Sequence, residues 1–263
     1  MALRYSLDNV THESGGITMN IVKGVEALEI TANLLGELRI IYPTLLWDQD
    51  EVILVDAGYP GQLDLFHQAF AQAGVSFDQL TKIMITHQDI DHIGGLPGMI
   101  QGSQSHVEII SHPLEQPYIQ GERRILKFSD EVIAQMDSWP EEHAAPLKRL
   151  IANPPKATVD TLVTDGQVLP YCGGITVIDT PGHTPGHISL YHISSKTLIA
   201  GDALVIKDGE LYGSDPSYTL DLPTAQASIK NLTRYDIEHV ICYHGGIYQG
   251  QANQRIAQLA SEA

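Results

Sequence analysis

Seven residues carry nitrogen or oxygen atoms suited to a divalent cation, and they fall at the ends of apolar runs. His87, Asp89, Asp91 and His92 crowd into six consecutive positions directly after Lys82-Ile83-Met84-Ile85-Thr86. His183 sits in the rigid turn Thr180-Pro181-Gly182-His183-Thr184-Pro185-Gly186, beyond the apolar run Ile175 to Ile178. Such a turn fixes a side chain while letting backbone approach closely. Asp202 closes Leu198-Ile199-Ala200-Gly201-Asp202, and His244 follows Ile237 to Tyr243. Imidazole and carboxylate together suit zinc, iron or manganese. Taken alone, the first cluster also reads as a polar loop entering a helix, with Asp91 as its cap. Four separate strand ends presenting His or Asp favour one site on the rim of a sandwich.

These motifs, in this order, resemble the metallo-β-lactamase fold superfamily. That family carries a His-x-His-x-Asp-His segment, a His in a Pro-Gly-His turn, an Asp in a Gly-Asp pair and a last His before Gly. The match runs from about Val55 to Gly246, with His183 placed 91 residues beyond His92, Asp202 a further 19 and His244 a further 42. The resemblance implies a four-layer αβ/βα sandwich holding two divalent ions. His87, Asp89 and His183 would hold one ion, and Asp91, His92 and His244 the other. Asp202 would bridge them, and Asp56 would support the loop.

One position departs from the family: its second His is Asp89 here. Three ligand carboxylates, two divalent ions and a bridging hydroxide then sum to zero charge, where the His version would be positive. A less positive centre acidifies its water less, leaving the pKa above the ~7 usual for catalytic zinc. Zinc is the leading expectation, and two imidazoles with a carboxylate also suit Fe(II) or Mn(II). The resemblance implies hydrolysis, a metal-held hydroxide attacking an ester, lactone, thioester or amide-like bond of a small molecule. Asp91 is the candidate catalytic residue, orienting the nucleophile and moving its proton. Acyl-homoserine lactonases of the superfamily often have Tyr three residues after the bridging Asp, where this chain has Val205. The alternative is a di-iron or mononuclear iron redox enzyme, because flavodiiron members carry a carboxylate at the Asp89 position. Those members add a flavodoxin domain, and only 19 residues follow His244 here, so none is expected.

The elements that must place these side chains show in the apolar pattern. Strands are expected over Gly15 to Val22, Leu38 to Leu46, Val52 to Val55, Lys82 to Thr86, Val107 to Ile110, Leu162-Val163, Ile175 to Ile178, Ile188 to Ile193, Thr197 to Ala200 and Ile237 to Tyr243. Leu63, Phe66, Phe70 and Ala73 form a helical stripe, and a short helix is expected over Gly94 to Ile100. Further helices are read around Ala225 to Tyr235 and from about Ala252. Ile125, Phe128, Val132, Met136 and Trp139 form another stripe inside a helical insertion at about 113–155, within a single domain spanning 1–263. This stripe is either the wall of a substrate pocket or the core of a flap, and Tyr212 and Tyr218 are further pocket candidates.

Composition bounds the rest. The chain has 263 residues, 43% hydrophobic and 18% charged, the balance of a soluble protein with a sizeable core. A formal charge of −17 disfavours a nucleic-acid partner. No apolar run spans a bilayer and no secretion signal shows, so the expectation is a cytoplasmic enzyme without a membrane partner. The oligomeric state stays open, a homodimer being one option. Cys172 and Cys242 are too few for a disulfide framework, and Cys242 reads as a small buried hydrophobe. His187 is read as a support for the site and His112 as a satisfied loop residue. His12, His67, His106, His143, His192 and His239 receive no role.

Overall fold

Val52, Ile53, Leu54 and Val55 are apolar at every position, as a strand covered on both faces must be, and all four are buried. Alternation then sorts them: Ile53 and Val55 face one core, Val52 and Leu54 another. The same sorting recurs across the computed structural model, which describes residues 18–34 and 37–262.

The first half of the chain runs β1 (Thr18–Val22), β2 (Val25–Leu28), β3 (Ile30–Leu34), β4 (Glu37–Ile41), β5 (Thr44–Trp47) and β6 (Val52–Val55). It continues α1 (Leu63–Gln72), β7 (Lys82–Ile85), α2 (Ile90–Ile93), α3 (Leu96–Gly102) and β8 (Glu108–Ser111). Three helices, α4 (Gln116–Ile119), α5 (Asp130–Met136) and α6 (Glu141–Ala152), precede β9 (Thr161–Leu162). Then come β10 (Val168–Leu169), β11 (Ile175–Asp179), β12 (Ile188–His192), β13 (Thr197–Ile199), β14 (Leu204–Lys207) and β15 (Glu210–Gly213). The described chain closes with α7 (Leu222–Leu232), β16 (His239–Cys242), β17 (Gly246–Tyr248) and α8 (Ala252–Ser261).

The sheets have the order β1-β2-β5-β6-β7-β8-β9 and β10-β11-β12-β13-β16-β17. Val25, Leu46, Ile53, Val55, Met84 and Ile110 from the first sheet pack on Ile175, Val177, Ile188, Leu190, Ile199 and Ile241 from the second. The outer face of the first sheet is covered by Leu65, Phe66 and Phe70 of α1, Met99 of α3, Met136 of α5 and Leu147 of α6. The outer face of the second is covered by Ile229 and Leu232 of α7 and Ile256 and Leu259 of α8. The layers are therefore helix, sheet, sheet, helix, the αβ/βα sandwich expected.

Strand direction decides where the site can form. β6, β7 and β8 are parallel, and β13 is parallel to β16. β11 and β13 each run antiparallel to β12, so β11 points the same way as β13. The residues just past β6, β7, β11, β13 and β16 thus gather at carboxyl-terminal strand ends, where open α/β sheets bind ligands.

Several boundaries differ from expectation. Residues 15–17 of the first expected strand lie outside the described residues. The run Leu38 to Leu46 is two strands, β4 and β5, because Tyr42-Pro43 interrupts it and Pro cannot donate to a ladder. The Ile125–Trp139 stripe is helical only in α5. Ser129 caps that helix, its Oγ accepting the Val132 N–H, so Ile125 and Phe128 stay in a turn ahead of it. Asp91 and His92 stand on the one-turn helix α2 rather than in a loop.

Candidate metal centre

The strand ends bring all seven predicted residues together. One candidate ligand atom from each of His87, Asp89, His183 and Asp202 lies within 4.8 Å of the others, and the same holds for Asp91, His92 and His244. Asp202 joins the two groups: its carboxylate oxygens lie 3.3 Å from His183 Nε2, 3.4 Å from His244 Nε2 and 3.5 Å from His92 Nε2. Asp91 Oδ2 is 3.3 Å from His244 Nε2. The residue before α2 is Asp89, yet its carboxylate caps nothing. It turns instead toward His87 Nε2 at 3.1 Å and His183 Nε2 at 3.0 Å.

The ring orientations follow from neighbours. Asp56, in a left-handed backbone conformation at φ 65°, accepts from the Thr86 N–H at 2.9 Å and the Thr86 hydroxyl at 2.8 Å. His92 Nδ1 donates to the same Asp56 carboxylate at 2.9 Å. With its hydroxyl proton committed to Asp56, Thr86 accepts from His87 Nδ1 at 3.0 Å. His183 Nδ1 donates to Ser214 Oγ at 3.0 Å, Ser214 passes its proton toward Thr219, and Thr219 donates to the Asp215 carbonyl. Each of these three imidazoles therefore turns its Nε2 inward, the orientation a metal requires of its histidines.

His187 supports the site without joining either group. Its Nε2 accepts the Asp202 N–H at 2.9 Å, while Nδ1 donates to Thr180 Oγ1 at 2.9 Å. Burial first, then the nearby His183, push its pKa down to about 3. Gly201, at φ +54°, makes this contact possible, since a Cβ there would lie 2.8 Å from His187 Nε2. Gly182, at φ +126°, is equally constrained, because a Cβ would meet the Ala225 backbone nitrogen of α7 at 2.1 Å.

The surrounding carboxylates raise the pKa of two imidazoles. Burial opposes the charge on His92, yet Asp56, Asp202 and Asp91 raise its pKa well above the ordinary value. Burial likewise opposes His244, and Asp202 and Asp91 push it up to about 10. Asp202 is held well below the usual carboxylate range, burial being outweighed by His244, His92 and His183. Such a pocket attracts cations. The donor set fits a transition-metal ion on a second count. His87 Nε2, His92 Nε2, Asp89 Oδ1 and Asp202 Oδ1 are buried without a hydrogen-bond partner among the described residues. Orphaned atoms of this kind are rare unless something further satisfies them.

The remaining candidates separate cleanly. Phe128 and Met136 belong to the core beneath α5 and α6, so the stripe is a packed layer. Tyr212 and Tyr218 are 44% and 43% exposed. His112 is satisfied in its loop, its Nδ1 accepting the Leu114 N–H at 3.2 Å. Cys242 is buried in the outer core of the second sheet, where burial raises its thiol pKa. Three residues went unnoticed in the sequence. Glu115 is buried and accepts from Gln88 N, Gln88 Nε2, Thr184 Oγ1 and Gly186 N. Tyr243 packs against His92 with ring centroids 3.8 Å apart and planes tilted by 30°, and it donates to the Asp91 carbonyl. Lys127 donates to Asp89. A lone Lys inside the apolar stretch Ile125-Leu126-Lys127-Phe128 was the available signal for the last.

The geometry has parallels. A family model described as the metallo-beta-lactamase superfamily matches residues 36–244. The probable metallo-hydrolase YflN of Bacillus subtilis (strain 168) is 28% identical over 254 residues, spanning 90% of this chain and 89% of that protein. The probable metallo-hydrolase YybB of the same organism is 26% identical over 186 residues, spanning 70% and 72%. A metallo-beta-lactamase family protein from Thermus thermophilus superposes with a TM-score of 0.68 at 21% identity, covering 92% of this chain and 80% of that one. A metallo-beta-lactamase from Pontibacter korlensis gives 0.66 at 15% identity, covering 94% and 97%. At these identities the structural likeness speaks for the fold.

Proposed function

The chain belongs to the metallo-beta-lactamase superfamily, and from that premise we propose that it is a binuclear metal-dependent hydrolase of a small molecule. Its target is an ester, lactone, thioester or amide-like bond. The observation that carries this reading is the convergence of buried, unpartnered Nε2 and carboxylate atoms on one spot. His87, Asp89 and His183 would hold one ion, Asp91, His92 and His244 the other, with Asp202 shared. Zinc is the first choice, with iron or manganese compatible with the same donors. Bound there, divalent ions supply Lewis acidity toward a carbonyl oxygen and an activated water. Asp91, whose side chain is 11% exposed beside the more open His244, orients the attacking water and takes its proton. His187 and Thr180 keep Asp202 aimed inward, and Asp56 does so for His92.

The net charge of −17 supports a small-molecule substrate over nucleic acid. Among the described residues no helix is long and apolar enough to cross a membrane. The test is a panel of esters, lactones, thioesters and amides, run with the metal content of protein purified without added metal. Activity on one bond class is expected. Asp91→Ala, assayed with zinc restored in excess because Asp91 is also a candidate ligand, should lose about 100-fold or more in kcat. Full activity in that variant with intact metal would remove Asp91 from the mechanism. A second reading, iron-dependent redox chemistry, is favoured by one observation: Asp89 adds a carboxylate beside the His87 and His183 imidazoles. Iron in the purified protein with no hydrolysis across the panel would select it.

A further inference from the structure

Lys127 enters the Asp89 side of the site from the turn between α4 and α5. Its ammonium donates to Asp89 Oδ2 and lies 2.7 Å from His183 Nε2. The placement is built by the surrounding chain. The Leu126 N–H, one residue earlier, donates to Gln88 Oε1 at 2.8 Å, and Gln88 is itself held by Glu115. On either side, Ile125 and Phe128 are buried in the core. The Lys127 side chain is 9% exposed, so its charge is compensated mainly by what it touches.

The atoms Lys127 touches are candidate ligand atoms of one group only. His183 Nε2 offers a single lone pair, which cannot serve an ammonium and a divalent ion together. The Asp91–His92–His244 group has no ammonium contact among the described residues. Lys127 is a compact point charge on a flexible stem, able to withdraw once a stronger cation arrives.

We propose that Lys127 is an internal cation guarding the Asp89 position, so that the two positions load in order. The Asp91–His92–His244 group takes its ion first. The His87–Asp89–His183 group takes one only as Lys127 is displaced. This rests on the two-ion reading above, and the two can fail separately. Lys127 therefore sets how much free metal the protein needs before its second position fills.

The test is calorimetric titration of the metal-free full chain with Zn(II), with bound zinc counted after gel filtration, for wild type, K127M and K127R. Wild type should bind two ions with unequal affinities. K127M should bind the weaker ion more tightly by on the order of tenfold, and K127R, which keeps the charge, should stay unequal. Thermal unfolding adds a readout that a purely structural lysine would not give. Metal-free K127M should melt below metal-free wild type, while the zinc-loaded proteins melt together. Two ions bound by K127M with wild-type affinities would overturn the inference alone, as would K127R behaving like K127M. Saturation at one ion in every variant would overturn the two-ion reading and the inference together. K127Q, with a neutral polar head on a similar stem, is read by the same criteria if K127M does not fold.

Discussion

His87, His92 and His183 each have one ring nitrogen tied down so that the other faces the site, and the partners differ: Thr86, Asp56 and Ser214. His187 inverts the pattern, spending both nitrogens on protein groups. That makes it a neutral imidazole by construction, and it has a consequence for acid stability. An unfolded His takes up its proton near pH 6.5, whereas His187 in the fold does so only near 3. Between those values the unfolded chain holds the extra proton, so acidification favours unfolding. The contribution is complete above pH 6.5 and is lost as pH falls toward 3. His187→Gln can still accept from the Asp202 N–H but has no such titration. In urea unfolding of metal-free protein, the stability lost by wild type from pH 7 to pH 4.5 should therefore exceed that of H187Q by about 2 kcal/mol. Equal losses in the two proteins would mean that His187 is already protonated in the native state.

At the scale of elements, the site depends on how the segment 86–92 is joined to the turn 180–187, which belong to different sheets. Glu115, just before α4, makes that joint: one carboxylate oxygen takes both Gln88 donors, and the other takes Thr184 Oγ1 at 2.9 Å and Gly186 N at 2.7 Å. Burial pushes its pKa up, although the Gln88 side chain, Thr184 and Gly186 oppose the shift. Glu115→Gln keeps the shape and sets an amide NH2 against two of those donors. The expected cost is about 3 kcal/mol in urea unfolding, with roughly 10- to 100-fold weaker zinc binding in chelator competition. An E115Q protein with wild-type midpoint and affinity would show that the joint is made elsewhere. The strands feeding the site were legible in sequence because β6, β7, β11 and β16 are short apolar runs ending in Asp, His or Gly. The ligand set was legible because His and Asp sit at those ends. Glu115 and Lys127 were not, since each lies in a segment of mixed polarity whose place depends on tertiary packing. β3 and the β14–β15 ribbon escaped for a related reason: they pair outside the two main sheets, so burial leaves a weak alternating signal.

Taken as one molecule, the chain divides its candidate ligands between two layers. His87, Asp89, Asp91 and His92 follow β7 of the first sheet, while His183, Asp202 and His244 follow β11, β13 and β16 of the second. An ion shared between them would stitch the sheets together at one rim, where the interior is carboxylate and imidazole rather than the aliphatic packing found deeper between them. Without a divalent ion, that rim relies on imidazole–carboxylate contacts and on Lys127, with four buried polar atoms left over. Metal removal should therefore loosen the contact between sheets and lower global stability. A ligand that binds only the folded state at about 100 times its Kd contributes roughly 2.7 kcal/mol. For a domain of this size each kcal/mol moves Tm by about 2–4 °C, so chelation should lower Tm by about 5–10 °C, reversibly on adding zinc. The loss should shrink as pH falls, because imidazole ligands must be unprotonated to bind and the ion then contributes less. Hydrogen exchange locates the effect: amides of 86–92, 180–187 and 200–203 should lose protection on chelation, while the α1 and α8 layers change little. Uniform loss across the chain, or an unchanged Tm after complete metal removal, would argue against an ion joining the two sheets.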